Sequence, residues 1–327
     1  MLLLTSLEAM RELLRLNGRN EHPDAEESGV TLVLPGTCSY IFWQLGMIQY
    51  LCEHFDTRSA KLAGVSSGAV SAVMLLHMEE IAQKAAAAEK DSENAGLAAA
   101  AAARQRAQEV FEIIEGKTAE LMRTPLSFFG RLGQLMEDLA PRVLPEGDAI
   151  ALGSRLQIGV RRLATGVVPA LVPDVVGSFT SRDELLDGVL ASCNVWLVVR
   201  LHPCRFLPSL SAFCSDGVNP YSLYCFWDYL CQRLTGQAEI SAPHEMHGGI
   251  LDRIYAIWNC TLAVKVLLPS SGKRLWVSPT VGGRLNVMYL LRFSGWFIGE
   301  QWQQGYAHAR DLDARGYWQA LPRRPGM

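Results

Sequence analysis

Apolar residues fall in short continuous runs near the start of the chain and at helical spacing between them. Val30 to Leu34 is a run with one polar member, closed by Pro35-Gly36, and it predicts a first strand. Ile41 to Phe55 reads as an apolar helix, and Lys61 to Val65 as a second strand. After Ser66-Ser67-Gly68 come Ala69, Val70, Ala72, Val73, Met74, Leu75 and Leu76, the pattern of a buried helix. A strand, helix, strand, helix succession argues for a parallel sheet with helical crossovers.

Further along, strands are predicted at Leu156–Val160, Val175–Phe179, Val195–Val199, Phe213–Cys214 and Leu275–Val277, with a helix at Arg182–Cys193. Terminal helices are predicted around Leu285–Phe293 and Gly305–Ala314. The fold class expected is therefore α/β, a mostly parallel central sheet flanked by helices. An alanine-rich tract from Met78 to Arg106 predicts two surface helices joined at Gly96, because alanine has the highest helix propensity. It reads as an insertion after the helix that follows Ser66, spanning about residues 78–122, and serving as a passive spacer or a lid.

At the N-terminus, Thr5 and Glu8 have capping-box spacing, and Leu7, Met10, Leu13 and Leu14 follow at helical intervals up to Gly18. Residues 1–27 are thus expected to be an amphipathic helix and an acidic linker. Residues 28–327 are expected to form one domain, with C-terminal helices over about 283–327.

Composition narrows the class. The 327 residues are 49 % hydrophobic and 19 % charged, enough for a substantial core. A net charge of −3 supplies no electrostatic footprint for nucleic acid. Eight cysteines without CxxC spacing read as reduced, mostly buried thiols. His244-Glu245-Met246-His247 has its histidines three apart, not the four of HExxH, so no metal site is expected. No apolar run reaches the ~18 residues of a membrane-spanning helix. Glu8 and Arg11 follow the opening MLLLT too soon for a signal-peptide core. A cytoplasmic location follows as the expectation.

The chemistry concentrates in Gly64-Val65-Ser66-Ser67-Gly68, between an apolar strand and an apolar helix. This is the sequence form of a nucleophile elbow, in which a sharp turn lifts the Ser66 hydroxyl clear of the sheet edge. The helix behind it points its positive end at the same spot. A plain glycine-rich helix cap is the alternative reading of the same string. Only about 35 residues separate the first strand from Ser66, room for one strand–helix unit. An α/β-hydrolase carries several strands before its nucleophile, so that plan does not fit. Cys214-Ser215-Asp216-Gly217 follows a short apolar strand and puts Asp216 at a strand end, although an Asp-Gly pair alone is a turn signal.

Together, the elbow, the Pro35-Gly36 loop and Asp216-Gly217 resemble the patatin-like phospholipase family, which uses a Ser–Asp dyad. The resemblance runs from about Val30 to Val281. LVLPGTCSYIFWQLGMIQYL is similar to the family's glycine-rich loop and following helix, with Gly36 as leading glycine. LMEDLAPRVLPEGDAIALGSRLQIGVRRL, VVGSFTSRDELLDGVLASCNV and RLWVSPTVG resemble later family segments in the same order. The resemblance implies that Ser66 is the nucleophile and Asp216 the base, within a motif marked by Gly64, Gly68 and Gly217. Backbone N–H groups at Gly36, Thr37 and Cys38 would hold the oxyanion. It implies a lipid acyl hydrolase acting on phospholipid, galactolipid or glyceride at a membrane or lipid-droplet surface, with no cofactor or metal.

Two departures stand out. Thr37 and Cys38 follow Gly36, and Ile41 stands where a further glycine is common. A left-handed turn there would cost a non-glycine residue of order 1–3 kcal/mol. Val218 replaces the third residue of the usual Asp-Gly-Gly. These departures motivate a second reading, a catalytically weak patatin-like protein that binds lipid or regulates a partner. A third reading is a Ser–His–Asp esterase using His202, His244, His247 or His308. The aromatics Trp196, Phe206, Tyr221, Tyr224, Phe226, Trp227 and Tyr229 are expected mostly in the core.

Overall fold

The structure is a computed structural model that describes residues 29–37, 41–89, 92–121, 132–143, 155–164, 170–177, 179–194, 204–216, 273–278 and 295–326. The N-terminal helix and acidic linker, the strand expected at Val195–Val199 and the helix expected at Leu285–Phe293 lie outside these residues. So do Cys38, Gly217, Val218, His202, His244 and His247, and, among the aromatics named above, all but Phe206.

The described elements are, in chain order, β1 (Val30–Leu34), α1 (Ile41–His54), β2 (Lys61–Val65), α2 (Ser67–Ala88), α3 (Ser92–Leu121), α4 (Leu132–Val143), β3 (Leu156–Ala164), β4 (Ala170–Val176), α5 (Arg182–Ser192), β5 (Arg205–Leu207), β6 (Ala212–Asp216), β7 (Lys273–Trp276) and α6 (Gly295–Ala314). The fold is α/β, a mixed sheet with flanking helices, and among the described residues the sheet has seven strands. β7, β1, β2 and β3 pair in parallel. β3 then pairs antiparallel with β4 and with β6, and β6 with β5.

Residues of β1 and β2 are buried on both faces, as a central parallel strand requires. Leu32, Leu34 and Leu62 enter the main core, while Val33, Ala63 and Val65 form a smaller cluster with Val175 and Trp276. The start of β2 is tied to the start of β3 by Arg155. Its guanidinium donates to the carbonyls of Ala60 and Thr57 and to the buried Glu79 carboxylate at 3.2 Å. The Thr57 hydroxyl donates to the same carboxylate. Burial pushes the Glu79 pKa up, and Arg155 pulls against it.

α1 and α6 cross with their backbones almost touching. A Cβ on Gly46 would stand 2.0 Å from the Trp302 carbonyl oxygen, and one on Gly305 would stand 2.0 Å from that of Trp43. Only glycine permits so close an approach. Beside this crossing the fully buried Glu53 carboxylate accepts from Arg104 of α3 and Tyr306 of α6, each at 2.8 Å. Burial, then the Glu53 bond, pushes the Tyr306 phenol up to about 12.

Several expectations need correction. The alanine-rich tract does not break at Gly96, which lies inside α3; the first helix instead ends at Ala88. Gly96 is required for a different reason, since its Cβ would stand 1.8 Å from the Pro325 carbonyl oxygen of the returning C-terminal tail. Nor is α3 a surface spacer, because Ala99, Ala100, Ala103, Ala107 and Val110 are buried at helical spacing. Alanine there permits close helix packing as well as helix formation. β4 begins at Ala170, not Val175, and includes Pro173; among the described residues it pairs only with β3, and an edge strand tolerates proline. α6 starts at Gly295, ten residues before the expected helix. Beyond Ala314 the chain is in turns, and Phe55 bridges to Arg323. α4 and β5 were not foreseen. Phe206 is not in the core: it is 48 % exposed and packs edge-on against Phe213.

Candidate active site

β2 delivers Ser66 at the carboxyl end of the sheet, and α2 begins at the next residue. Ser66 has φ 54° and ψ −129°, a backbone conformation L residues rarely adopt. Among the described non-glycine residues only Ser211 shares a positive φ. The feared strain at Thr37 is therefore absent, and the turn concentrates it on Ser66. Both motif glycines are steric necessities. A Cβ on Gly64 would meet Gly68 O at 2.7 Å and Ala69 Cα at 2.8 Å. One on Gly68 would meet the Leu34 and Pro35 carbonyl oxygens at 1.9 and 2.6 Å. The first turn of α2 is thus pressed directly onto the end of β1.

Asp216 arrives from the opposite direction. Val65 pairs with Gly159 of β3, and Asp216 pairs with Val160, the next residue. Ile158 and Gly159 also pair with β4, as do Val160 to Arg162, so β2 and β6 lie along the same edge of β3 and meet end to end. That register joins two residues 150 positions apart. The Ser66 hydroxyl donates directly to Asp216 Oδ2 at 2.7 Å. The carboxylate is buried (2 % exposed) while Ser66 is only half-buried. A half-buried hydroxyl bonded directly to a buried carboxylate is a disposition that suits proton abstraction. Two residues before Asp216, burial pushes the Cys214 thiol up to about 12, so it stays protonated.

The loop after β1 is fastened to the elbow. The Thr37 amide donates to Ser67 Oγ at 2.7 Å, and the two hydroxyls are 3.3 Å apart. The fully buried Gln44 uses its whole amide here. Its Nε2 donates to the carbonyls of Pro35 and Val277, both at 2.9 Å. Its Oε1 accepts from Ser71 at 2.9 Å and Thr37 at 3.4 Å. One side chain thereby joins the ends of β1 and β7 to α1 and α2.

On the other flank, the Ser66 amide donates to Ser192 Oγ. Of the expected site residues, the structure brings together Ser66, Asp216, Gly64, Gly68, Gly36 and Thr37; Cys38 and Gly217 lie outside the described residues. Ser67, Gln44 and Ser192 were missed. A lone polar residue in the apolar run of α1 could have singled out Gln44; a serine inside a helix end carries no such mark.

His308 is buried and packs edge-on against Trp43 with centroids 5.8 Å apart, at the α1–α6 crossing. The described cysteines Cys52, Cys193, Cys204 and Cys214 are all free thiols. No described helix is long and apolar enough to cross a membrane. Searches found no protein-family model and no curated protein that matches the chain.

Proposed function

We propose that this chain is a serine hydrolase with a Ser66–Asp216 dyad, a patatin-like lipid acyl hydrolase. The single observation that carries the reading is the direct 2.7 Å hydrogen bond from a strained elbow serine to a buried carboxylate. In the reaction, the Ser66 hydroxyl proton passes to Asp216 as Oγ attacks an ester carbonyl. The tetrahedral adduct collapses, and Asp216 returns the proton to the departing alcohol. Water then gives its proton to Asp216, attacks the acyl-enzyme and releases a carboxylic acid, while the proton returns to Ser66.

The patatin-like assignment rests on the order of sequence motifs, and the lipid substrate follows from that resemblance. On this reading the protein works from the cytoplasm at a membrane or lipid-droplet surface.

The reading of a weak, lipid-binding relative also has an observation in its favour. The Thr37 amide is engaged by Ser67 Oγ, so serving an oxyanion requires it to exchange partners. Losing one oxyanion donor costs about 10²–10³-fold in rate.

A fluorophosphonate probe and a p-nitrophenyl ester separate the two. Wild type should be labelled and turn over ester, Ser66→Ala should do neither, and Asp216→Asn should lose about 10²–10⁴-fold. An unlabelled wild type that still binds lipid vesicles would favour the weak relative.

A further inference from the structure

We propose that Ser192 is a positioning residue that holds the nucleophile's backbone, an inference resting on the acyl-transfer reading above. Ser192 ends α5 and is fully buried (0 % exposed), so it touches no substrate. Its hydroxyl accepts the Ser66 N–H at 2.8 Å and donates to the Gly159 carbonyl at 2.6 Å. Gly159 is the β3 residue that pairs with Val65, and its neighbour Val160 pairs with Asp216. One hydroxyl therefore ties the nucleophile's own peptide to the strand on which the base is registered.

The same helix end reaches the base's strand as well. Two residues beyond Ser192, the Asn194 carbonyl accepts from Ser215 Oγ at 3.4 Å, beside Asp216. The other end of α5 is anchored, with Ser181 Oγ accepting the Glu184 amide at 3.1 Å. The clamp is thus mounted on the buried C-terminal end of a capped helix.

The need for it follows from the backbone. The parallel ladder between β2 and β3 ends at Val65, and the Ser66 N–H turns to a side chain instead of a strand. A residue at φ 54° persists only where its surroundings over-determine it. With alanine at 192, the Ser66 N–H loses this acceptor, and the turn can relax toward ordinary φ. Relaxation swings Oγ away from Asp216 Oδ2 and slows acylation while leaving the substrate's contacts alone.

The test compares Ser192→Ala, Ser192→Thr, Val189→Ala and Ser66→Ala for fluorophosphonate labelling rate, kcat and KM on p-nitrophenyl butyrate, and melting temperature. Val189 is buried on the same helix and offers no hydroxyl. Ser192→Ala should label and turn over about 10–100-fold more slowly with KM nearly unchanged. Ser192→Thr keeps the hydroxyl and should recover most of that loss. Val189→Ala should keep wild-type kcat even where its melting temperature falls as far. Wild-type rates in Ser192→Ala, with Ser66→Ala silent, overturn the inference and leave the hydrolase intact. An equal loss of kcat in Val189→Ala at equal destabilisation also overturns it. A wild type that neither labels nor turns over removes the hydrolase reading and this inference with it.

Discussion

Gly68→Ala adds one methyl group at the point where α2 presses on β1. The added Cβ would stand 1.9 Å from the Leu34 carbonyl oxygen, 2.5 Å from its carbon and 2.6 Å from the Pro35 oxygen. All three are backbone atoms, so no side chain can swing aside. Reaching the 3.0 Å below which Cβ contacts are essentially unknown requires the first turn of α2 to retreat by roughly 1 Å. That retreat stretches the 2.7 Å bond from the Thr37 amide to Ser67 Oγ beyond hydrogen-bonding range and drags Ser66 from Asp216. Overpacking of this kind costs about 1–3 kcal/mol, or roughly 2–10 °C in melting temperature for a chain of this size. A misplacement near 1 Å costs about 10²-fold in rate. The variant should therefore remain folded by circular dichroism while its fluorophosphonate labelling falls about a hundredfold. Gly116→Ala is the matched control, because a Cβ there has no heavy atom within 4 Å. Inside the last turns of α3, which ends at Leu121, it should stabilise by up to about 0.5–1 kcal/mol and label normally. Wild-type labelling and melting in Gly68→Ala would refute the packing argument.

Other consequences can be measured on the same preparation. Gly46→Ala and Gly305→Ala should each destabilise by about 3 kcal/mol or more, and the double variant by less than the sum, because both force apart one helix crossing; additive losses in denaturant melts contradict this. Arg155→Met strands the buried Glu79 carboxylate and should cost about 3 kcal/mol at neutral pH; a melt within 1 °C of wild type would exclude a stabilising pair. The Thr180 hydroxyl and amide hold the Glu184 carboxylate below its ordinary pKa. That contribution is present above the ordinary Glu value and is lost as pH falls through the lowered one, so Glu184→Gln should flatten the limb of stability on the acid side of the ordinary Glu value. An unchanged acid limb would show that the carboxylate contributes nothing there.

The chain's own pattern was enough to mark β1, α1, β2 and the start of α2 within a residue or two, because each is a mostly apolar segment between glycines, prolines or polar residues; the end of α2 at Ala88 was not marked, since it runs on into the alanine-rich tract. It also marked Ser66, since an elbow demands glycines at fixed offsets; Asp216 was singled out by the order of motifs, because an Asp-Gly pair alone reads as a turn. What local pattern could not supply is distance. Gly96 looked like a helix break and is a tail crossing; the strand expected at Val175–Phe179 instead runs from Ala170 to Val176. Nothing in the local pattern marks Ser67 or Ser192, yet their hydroxyls accept the amides of Thr37 and of Ser66 itself. The contact between Ser66 and Asp216 is a matter of register, Val65 against Gly159 and Asp216 against Val160. Hydrogen-bond partners far apart in sequence are chosen by how strands align and helices pack, and a linear string carries composition and spacing but not alignment.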